Sequence, residues 1–314
     1  MSKRPVWIDT DTGIDDAFAL LSALQLPNIE VVGCSAVSGN VELEKTFKNC
    51  RNVLSLAGRE DIPVYKGADR PIMGEPHYAK NVHGENGIGD IEIPESKAKV
   101  ETMSAYDALY ECAKKYNGEL VLVAVGPLSN VATAIFKYPE LVKLIKEIDI
   151  MGGSVAFGGN SNTTAEFNIF GDPYAAAAVF KAGVPINMFG LDVTIQAHLK
   201  REEVDSIKEM GNKVTDFAYA ISDPPMALYR MLGIGDILCL HDSCPLIYLN
   251  NPEIFSGKLA GVYVETQGGI TLGKTVSDVF VKTDELFKVK NAQVMLGVDR
   301  EKFAKIVLET LSKY

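Results

Sequence analysis

PVWIDTDTGIDDAFALLSALQLPNIEVVGCSA, residues 5–36, carries the reading of the fold. Pro5–Asp9 is a short run of strand type, Ile14–Leu24 has the apolar spacing of a helix, and Ile29–Ala36 is β-branched and apolar again. The same alternation runs on downstream. Val41–Ala57 sets Leu43, Phe47, Cys50, Leu54 and Ala57 at helical spacing, with Asn40 as its N-cap and Gly58 closing it. Ser104–Lys115 reads as a helix opened by a Ser104/Asp107 capping box. Glu119–Val125 is apolar on both faces, as a buried parallel strand is. Gly126-Pro127 turns it into a helix from Leu128 that stops before Pro139. Ile148–Met151, Ala175–Lys181 and Ile186–Phe189 repeat strand, helix and strand.

The expected fold is therefore α/β, a mostly parallel, twisted, Rossmann-like sheet with helices on both faces. Helices near Val214–Arg230 and Glu301–Ser312 and strands at Lys258–Thr266 and Thr275–Val281 are added in the last third. With no repeat, linker or low-complexity segment, one domain is expected over residues 1–314.

Composition narrows the function. The 314 residues are 47% hydrophobic with a net charge of −10, enough apolar material for one large core. An acidic chain without a Lys/Arg block lacks the footprint of a nucleic-acid or anionic-membrane binder. No apolar run approaches the ~18 residues of a membrane span. MSKRPVWIDT enters a strand-like run directly, so no secretory signal is expected. Cys34, Cys50, Cys112, Cys239 and Cys244 form an odd set without a C-x-x-C pair, which points to a reducing cytoplasm. The histidines His77, His83, His198 and His241 show no H-E-x-x-H spacing, so any metal must be held mainly by oxygen.

Asp9, Asp11, Asp15 and Asp16 crowd into DTDTGIDDA, where strand 1 gives way to helix 1. In open α/β sheets ligands bind at the carboxyl ends of strands. Carboxylates this close either rise in pKa or are held ionised by a cation and hydrogen-bond donors. Helix capping accounts for one or two of them, not for all. An EF-hand loop counted from Asp9 needs Gly where Ile14 stands and Glu where Leu20 stands, so it fails. A D-x-D phosphatase of the haloacid-dehalogenase type normally has Thr or Val where Gly13 stands, so Mg-dependent phosphoryl transfer is only the alternative enzyme class.

D9-T-D11-T-G13-I-D15-D16-A17 does resemble the signature D-x-D-x-G-x-D-D-A of the nucleoside hydrolases, with Thr12 where many members carry Pro. Similar marks follow along nearly the whole chain: Asn40, NVHGENG at 81–87, AVGPLSN at 124–130, MGG at 151–153, Asn160, Glu166-Phe167-Asn168, Asp172 and His241-Asp242. His241 directly before Asp242 makes the chain similar to the inosine-uridine-preferring members. The resemblance implies hydrolysis of the N-glycosidic bond of ribonucleosides to ribose and free base, serving nucleoside salvage. It also implies a homodimer or homotetramer.

Read onto this sequence, the resemblance assigns residues to roles. Asp11, Asp16 and Asp242 supply carboxylate oxygens to a metal, the backbone carbonyl of Val125 completes the set, and such an open all-oxygen site suits Ca²⁺. Asp242 could alternatively cap a helix starting near Ser243. Asp11, beside a metal-activated water, is the expected general base. Asp15, Asn40, Asn160, Glu166 and Asn168 resemble the ribose-binding set. In an extended segment the i, i+2 spacing of Glu166 and Asn168 puts them on one side, with Phe167 between them. His241, with an ordinary pKa near 6.5, is the expected acid for the leaving base. His83, in a Gly/Asn-rich loop, and Tyr229 are expected base contacts, whereas His77 and His198 are expected to be structural. A non-catalytic nucleoside binder using the same site is the remaining alternative.

Overall fold

The computed structural model describes residues 3–280 and 287–314. Its main sheet has the order β3-β2-β1-β4-β5-β6-β12-β9. These strands are β1 (Arg4–Thr10), β2 (Ile29–Ala36), β3 (Val64–Lys66), β4 (Leu120–Ala124), β5 (Ile145–Met151), β6 (Ile186–Phe189), β9 (Phe255–Ala260) and β12 (Ala292–Val298). All pairings are parallel except β12 with β9. Two small antiparallel pairs stand apart: β7 (His198–Lys200) with β8 (Ile237–Cys239), and β10 (Val262–Val264) with β11 (Thr275–Ser277).

β4 shows why a continuous apolar run makes a central strand. Leu120, Leu122 and Ala124 join one core layer, while Val121 and Val123 join the other. The first layer lies under α4 (Ala105–Tyr116), α5 (Ser129–Lys137) and α7 (Pro173–Phe180). The second lies under α1 (Ile14–Gln25), α2 (Leu43–Leu56), α9 (Arg201–Lys208), α10 (Lys213–Met231), α11 (Ser243–Asn250) and α12 (Arg300–Leu311). Short helices α3 (Lys80–His83), α6 (Phe167–Gly171) and α8 (Leu191–Thr194) sit in the connections. Six strands in the order 3-2-1-4-5-6 place the topological switch between β1 and β4, where an α/β sheet opens a crevice at its carboxyl edge.

Several local expectations need correction. The second helix starts at Leu43 with Glu42 at its N-cap, so Asn40 does not cap it. Ser104 accepts the Asp107 N–H, but the Asp107 carboxylate turns to Lys137 and Tyr138, so the capping box is half formed. Lys258–Thr266 is not one strand but is divided at Gly261 between β9 and β10. There the Gly261 N–H is taken by Asp278 rather than by a strand neighbour. The strand expected over Thr275–Val281 ends at Ser277, and Val281 lies outside the described residues. Among the described residues no helix is long and apolar enough to cross a membrane.

Candidate active site

The acidic motif leaves β1 at the switch point and runs into the first turn of α1. Helix α11 packs against α1 and brings Asp242 to the same place. Carboxylate oxygens of Asp15, Asp16 and Asp242 all lie within 4.8 Å of one another. Asp242 begins α11 but makes no side-chain cap, so its carboxylate belongs to the cluster and not to the helix end.

Hydrogen bonds fix some of these oxygens and leave others bare. Asp16 accepts from Thr10 Oγ1 (2.5 Å), the Gly13 N–H (2.9 Å) and Asn40 Nδ2 (3.1 Å). Asp11 Oδ2 accepts the Asn40 N–H at 2.7 Å, while Asp11 Oδ1 is buried with no hydrogen-bond partner. Burial, then repulsion from Asp16, pushes Asp11 well above the usual carboxylate range. Asp15 rises to about 7, first by burial and then by the charge of Asp16. Asp16 is raised by burial against its hydrogen bonds, and Asp242 by burial and by Asp15, Asp16 and Asp11 in turn. Among the described residues, no lysine or arginine is among the main groups acting on these four. A buried, all-oxygen donor set that lacks a basic partner fits a divalent cation.

Glycines make the approach of these groups possible. A Cβ on Gly39 would lie 2.1 Å from Asp11 Oδ2, and one on Gly13 would lie 2.6 Å from both Asn40 Nδ2 and His83 Nδ1. The central glycine of the motif is thus a packing requirement. His83 is buried and its Nδ1 accepts the Ile14 N–H at 3.1 Å, which puts the ring at the N-terminus of α1. Burial and the neighbouring His241 lower its pKa to about 3.

Val125 stands where β4 ends. Its N–H donates to Asp9 O (2.8 Å) and its carbonyl accepts Asn168 Nδ2 (2.9 Å), leaving the second lone pair of that carbonyl free. Glu166 and Asn168 do not lie in an extended segment, as their spacing led one to expect. Glu166 is the N-cap of α6, and its carboxylate accepts the N–H groups of Gly153, Asn168 and Ile169. Burial still raises it to about 7. Asn160 is exposed and accepts the Phe167 N–H at 2.9 Å, so it shapes this turn. Phe167 is half-buried beside His77, with ring centres 5.6 Å apart.

On the other side of the cluster, His241 Nε2 lies 3.1 Å from Tyr229 Oη and His241 Nδ1 lies 2.7 Å from Thr194 Oγ1. Burial lowers His241 to about 4, away from the ordinary value near 6.5 on which its expected role as the acid was based. Tyr229 uses its hydroxyl here rather than only packing. His198 Nδ1 bonds the Ile195 carbonyl at 3.0 Å.

Sequence reasoning did not find Asn49, Asn130, Asp192 or Thr194. Asn49 Nδ2 joins Thr12 O to Asn86 O (3.1 and 2.8 Å), linking the acidic loop to the His83 loop. Asn130 joins Asp9 and Ala36, near the ends of β1 and β2, to Ala68 in the loop after β3. Asp192 gathers the N–H groups of Val155, Ala156 and Phe157. Asp192 and Thr194 were signalled only as polar residues in the apolar run 189–195, Asn130 lay unmarked within AVGPLSN, and Asn49 had no such signal in its polar surroundings.

A Rossmann-ordered sheet with a carboxylate cluster able to hold a metal at its switch point defines a metal-dependent α/β enzyme. The chain belongs to the nucleoside hydrolases: the family described as inosine-uridine preferring nucleoside hydrolase matches residues 6–305. It is 38% identical over 313 residues to the pyrimidine-specific ribonucleoside hydrolase RihA of Shewanella sp. (strain MR-7), covering 99% of this chain and 97% of that protein. To RihA of Klebsiella pneumoniae (strain 342) it is 39% identical over 311 residues, covering 99% of each. Among solved structures, a purine-preferring ribonucleoside hydrolase from Gardnerella vaginalis superposes with a TM-score of 0.92 at 33% identity, covering 99% of this chain and 98% of that one. The protein is accordingly an enzyme that hydrolyses ribonucleosides to ribose and base, and the phosphatase and non-catalytic alternatives fall.

Proposed function

We propose that Asp11, Asp16 and Asp242, with the Val125 carbonyl, hold a Ca²⁺ ion against which the ribose of the substrate is seated. The observation that carries this reading is the buried Asp11 Oδ1 without a hydrogen-bond partner, inside a cluster of acids where, among the described residues, no basic side chain is a main influence. When bound, Ca²⁺ would acidify a neighbouring water and offer coordination positions to ribose hydroxyls.

The chain's own residues divide the rest. Asp11 is fixed through Oδ2 by the Asn40 N–H, which leaves Oδ1 to accept the proton of the attacking water. The water oxygen bonds to C1′ as the C1′–N bond breaks, and that electron pair leaves on the base nitrogen. Asp15 and Asn168 read the ribose hydroxyls. Asn40 and Glu166, whose polar groups already bond the protein, act by holding Asp11, Asp16 and the turn at 166–169 in place. Asn160 and Phe167 frame that turn. On the base side, the paired His241 and Tyr229 hydroxyl donate a hydrogen bond that stabilises the negative charge developing on the leaving base, which then takes its proton from solvent. His83 borders the same space.

Relatives whose names specify pyrimidine and purine substrates share this fold and family. What their substrates have in common is the ribose and its C–N bond, which is what the acidic cluster would engage. The five cysteines, all unpaired, favour a reducing compartment such as the cytoplasm.

The test is incubation with uridine and inosine in phosphate-free buffer, with chelator and then with added Ca²⁺, followed by a reducing-sugar assay. Free ribose should appear without phosphate, cease on chelation and return with Ca²⁺. Turnover that needs phosphate, or that survives exhaustive chelation, would contradict the reading.

A further inference from the structure

His241 reaches the site just beyond β8, and two hydroxyls hold its ring from opposite sides. Thr194, at the end of α8, is 0% exposed, and His241 Nδ1 is its side chain's hydrogen-bond partner at 2.7 Å. Its backbone is fixed without that hydroxyl. Thr194 N–H donates to Gly190 O (3.0 Å), Ala197 N–H to Thr194 O (3.1 Å), and Leu240 N–H to Ala197 O (3.0 Å). β7 and β8 then pair His198 with Cys239, two residues before His241. The main chain therefore sets where His241 starts, and the Thr194 hydroxyl sets which way its ring faces. A hydroxyl can donate to Nδ1 or accept from it, so this anchor works with either tautomer. The same helix carries Asp192, whose carboxylate gathers the N–H groups of residues 155–157. One short helix thus joins the loop after β5 to the ring of His241.

We propose that Thr194 is a positioning residue for leaving-group activation: its hydroxyl orients His241 so that Nε2 and the Tyr229 hydroxyl face the departing base. This rests on the reading of His241 given above. Without the hydroxyl the imidazole keeps its place in the chain but loses its fixed orientation, and a misdirected donor harms only substrates whose leaving group needs a proton.

The test uses the Ca²⁺-loaded enzyme with two substrates, uridine and p-nitrophenyl riboside, whose phenolate leaves without a strong acid. Thr194→Val removes the hydroxyl at nearly constant shape, Thr194→Ser restores it, and His241→Ala is the reference. For Thr194→Val, kcat on uridine should fall at least ~10-fold, a part of what general acid catalysis contributes, with KM and p-nitrophenyl riboside turnover within about threefold of wild type. Thr194→Ser should recover most of the loss. If the valine variant does not fold, Thr194→Ala is read in the same way. Equal losses on both substrates, or none on uridine, while His241→Ala shows the leaving-group dependence, would overturn the role of Thr194 alone. Equal losses on both substrates for His241→Ala itself would overturn the reading of His241 and the Thr194 role with it.

Discussion

Asp172 and Asp11 are both fully buried aspartates near the carboxyl edge of the same sheet, yet their surroundings are opposite. Asp172 accepts from the Ile72 N–H, Ser129 Oγ and the Ala175 N–H, at 2.7 to 2.9 Å, so both of its oxygens are engaged. Asp11 has one oxygen on the Asn40 N–H and the other on nothing. The first arrangement ties three chain segments together and leaves no capacity for a ligand. The second is stable as a charged group only when something else supplies the missing partner. Donor saturation, not burial or residue type, separates Asp172 from Asp11.

That contrast is broken most severely by Asp11→Asn. Removing the proposed base and a metal ligand together should lower kcat by ~10³ or more. The melting temperature of the chelator-treated variant should stay at or above that of wild type, because a repelling charge has gone from the cluster. Activity within about tenfold of wild type would remove Asp11 from the chemistry.

The substrate offers the next largest effect. If the cluster reads the ribose hydroxyls, 2′-deoxyuridine leaves polar groups unfilled, and kcat/KM should drop at least ~10² against uridine even if a water takes the vacant place. A deoxynucleoside ionises more easily at C1′, so any preference for uridine must come from the protein. Similar values for the two would break the ribose assignment.

Asp172→Ala should behave in the opposite way to Asp11→Asn. Losing three hydrogen bonds to a buried carboxylate should destabilise the fold by about 2–4 kcal/mol, visible as a lower melting temperature, with kcat per folded enzyme within about threefold of wild type. A large loss of kcat at unchanged stability would reverse the comparison.

Asp149 gives the smallest effect and sharpens the rule. It lies inside the sheet on β5, with Oδ1 on Asn187 Nδ2 (2.7 Å) and Oδ2 unpartnered, and no third acid joins it and Glu147 among the described residues. Burial first, and the Glu147 charge second, hold its pKa well above the ordinary value. A carboxyl raised on folding contributes stability that is fully present below its unfolded pKa and is lost as pH rises through the folded one. Asp149→Asn should therefore flatten, by a few degrees, the fall in melting temperature as pH rises above the ordinary carboxylate range. An unchanged slope would show that Asp149 finds a partner in solution.

The sequence made part of this legible. Ile14–Leu24, Ile29–Ala36 and Glu119–Val125 declare their periods strongly, and four aspartates in eight residues cannot all be caps. Side-chain choices between two chemically equal uses were not legible. Asn40 can cap a helix or donate to carboxylates, and only the start of α2 at Leu43 decides for the second. Glu166 and Asn168 share a side in an extended chain, but Glu166 captures three N–H groups and begins a helix. β12 escaped notice because Gln293 and Gly297 interrupt its apolar run. Thr194 meets His241 across 47 positions and Asn130 meets Asp9 across 121, separations that no local pattern encodes. The pKa of His241 likewise follows from burial that its neighbours in sequence do not reveal.

The most direct test of donor starvation as the mark of the site is calorimetric titration of chelator-treated protein with Ca²⁺. Wild type should bind one ion per chain. Asp242→Asn should weaken that binding at least ~10²-fold, because it removes a charged ligand, while Asp172→Asn, whose carboxylate serves only the scaffold, should bind as wild type does. Absence of binding in the wild type, or equal losses in the two variants, would contradict the account.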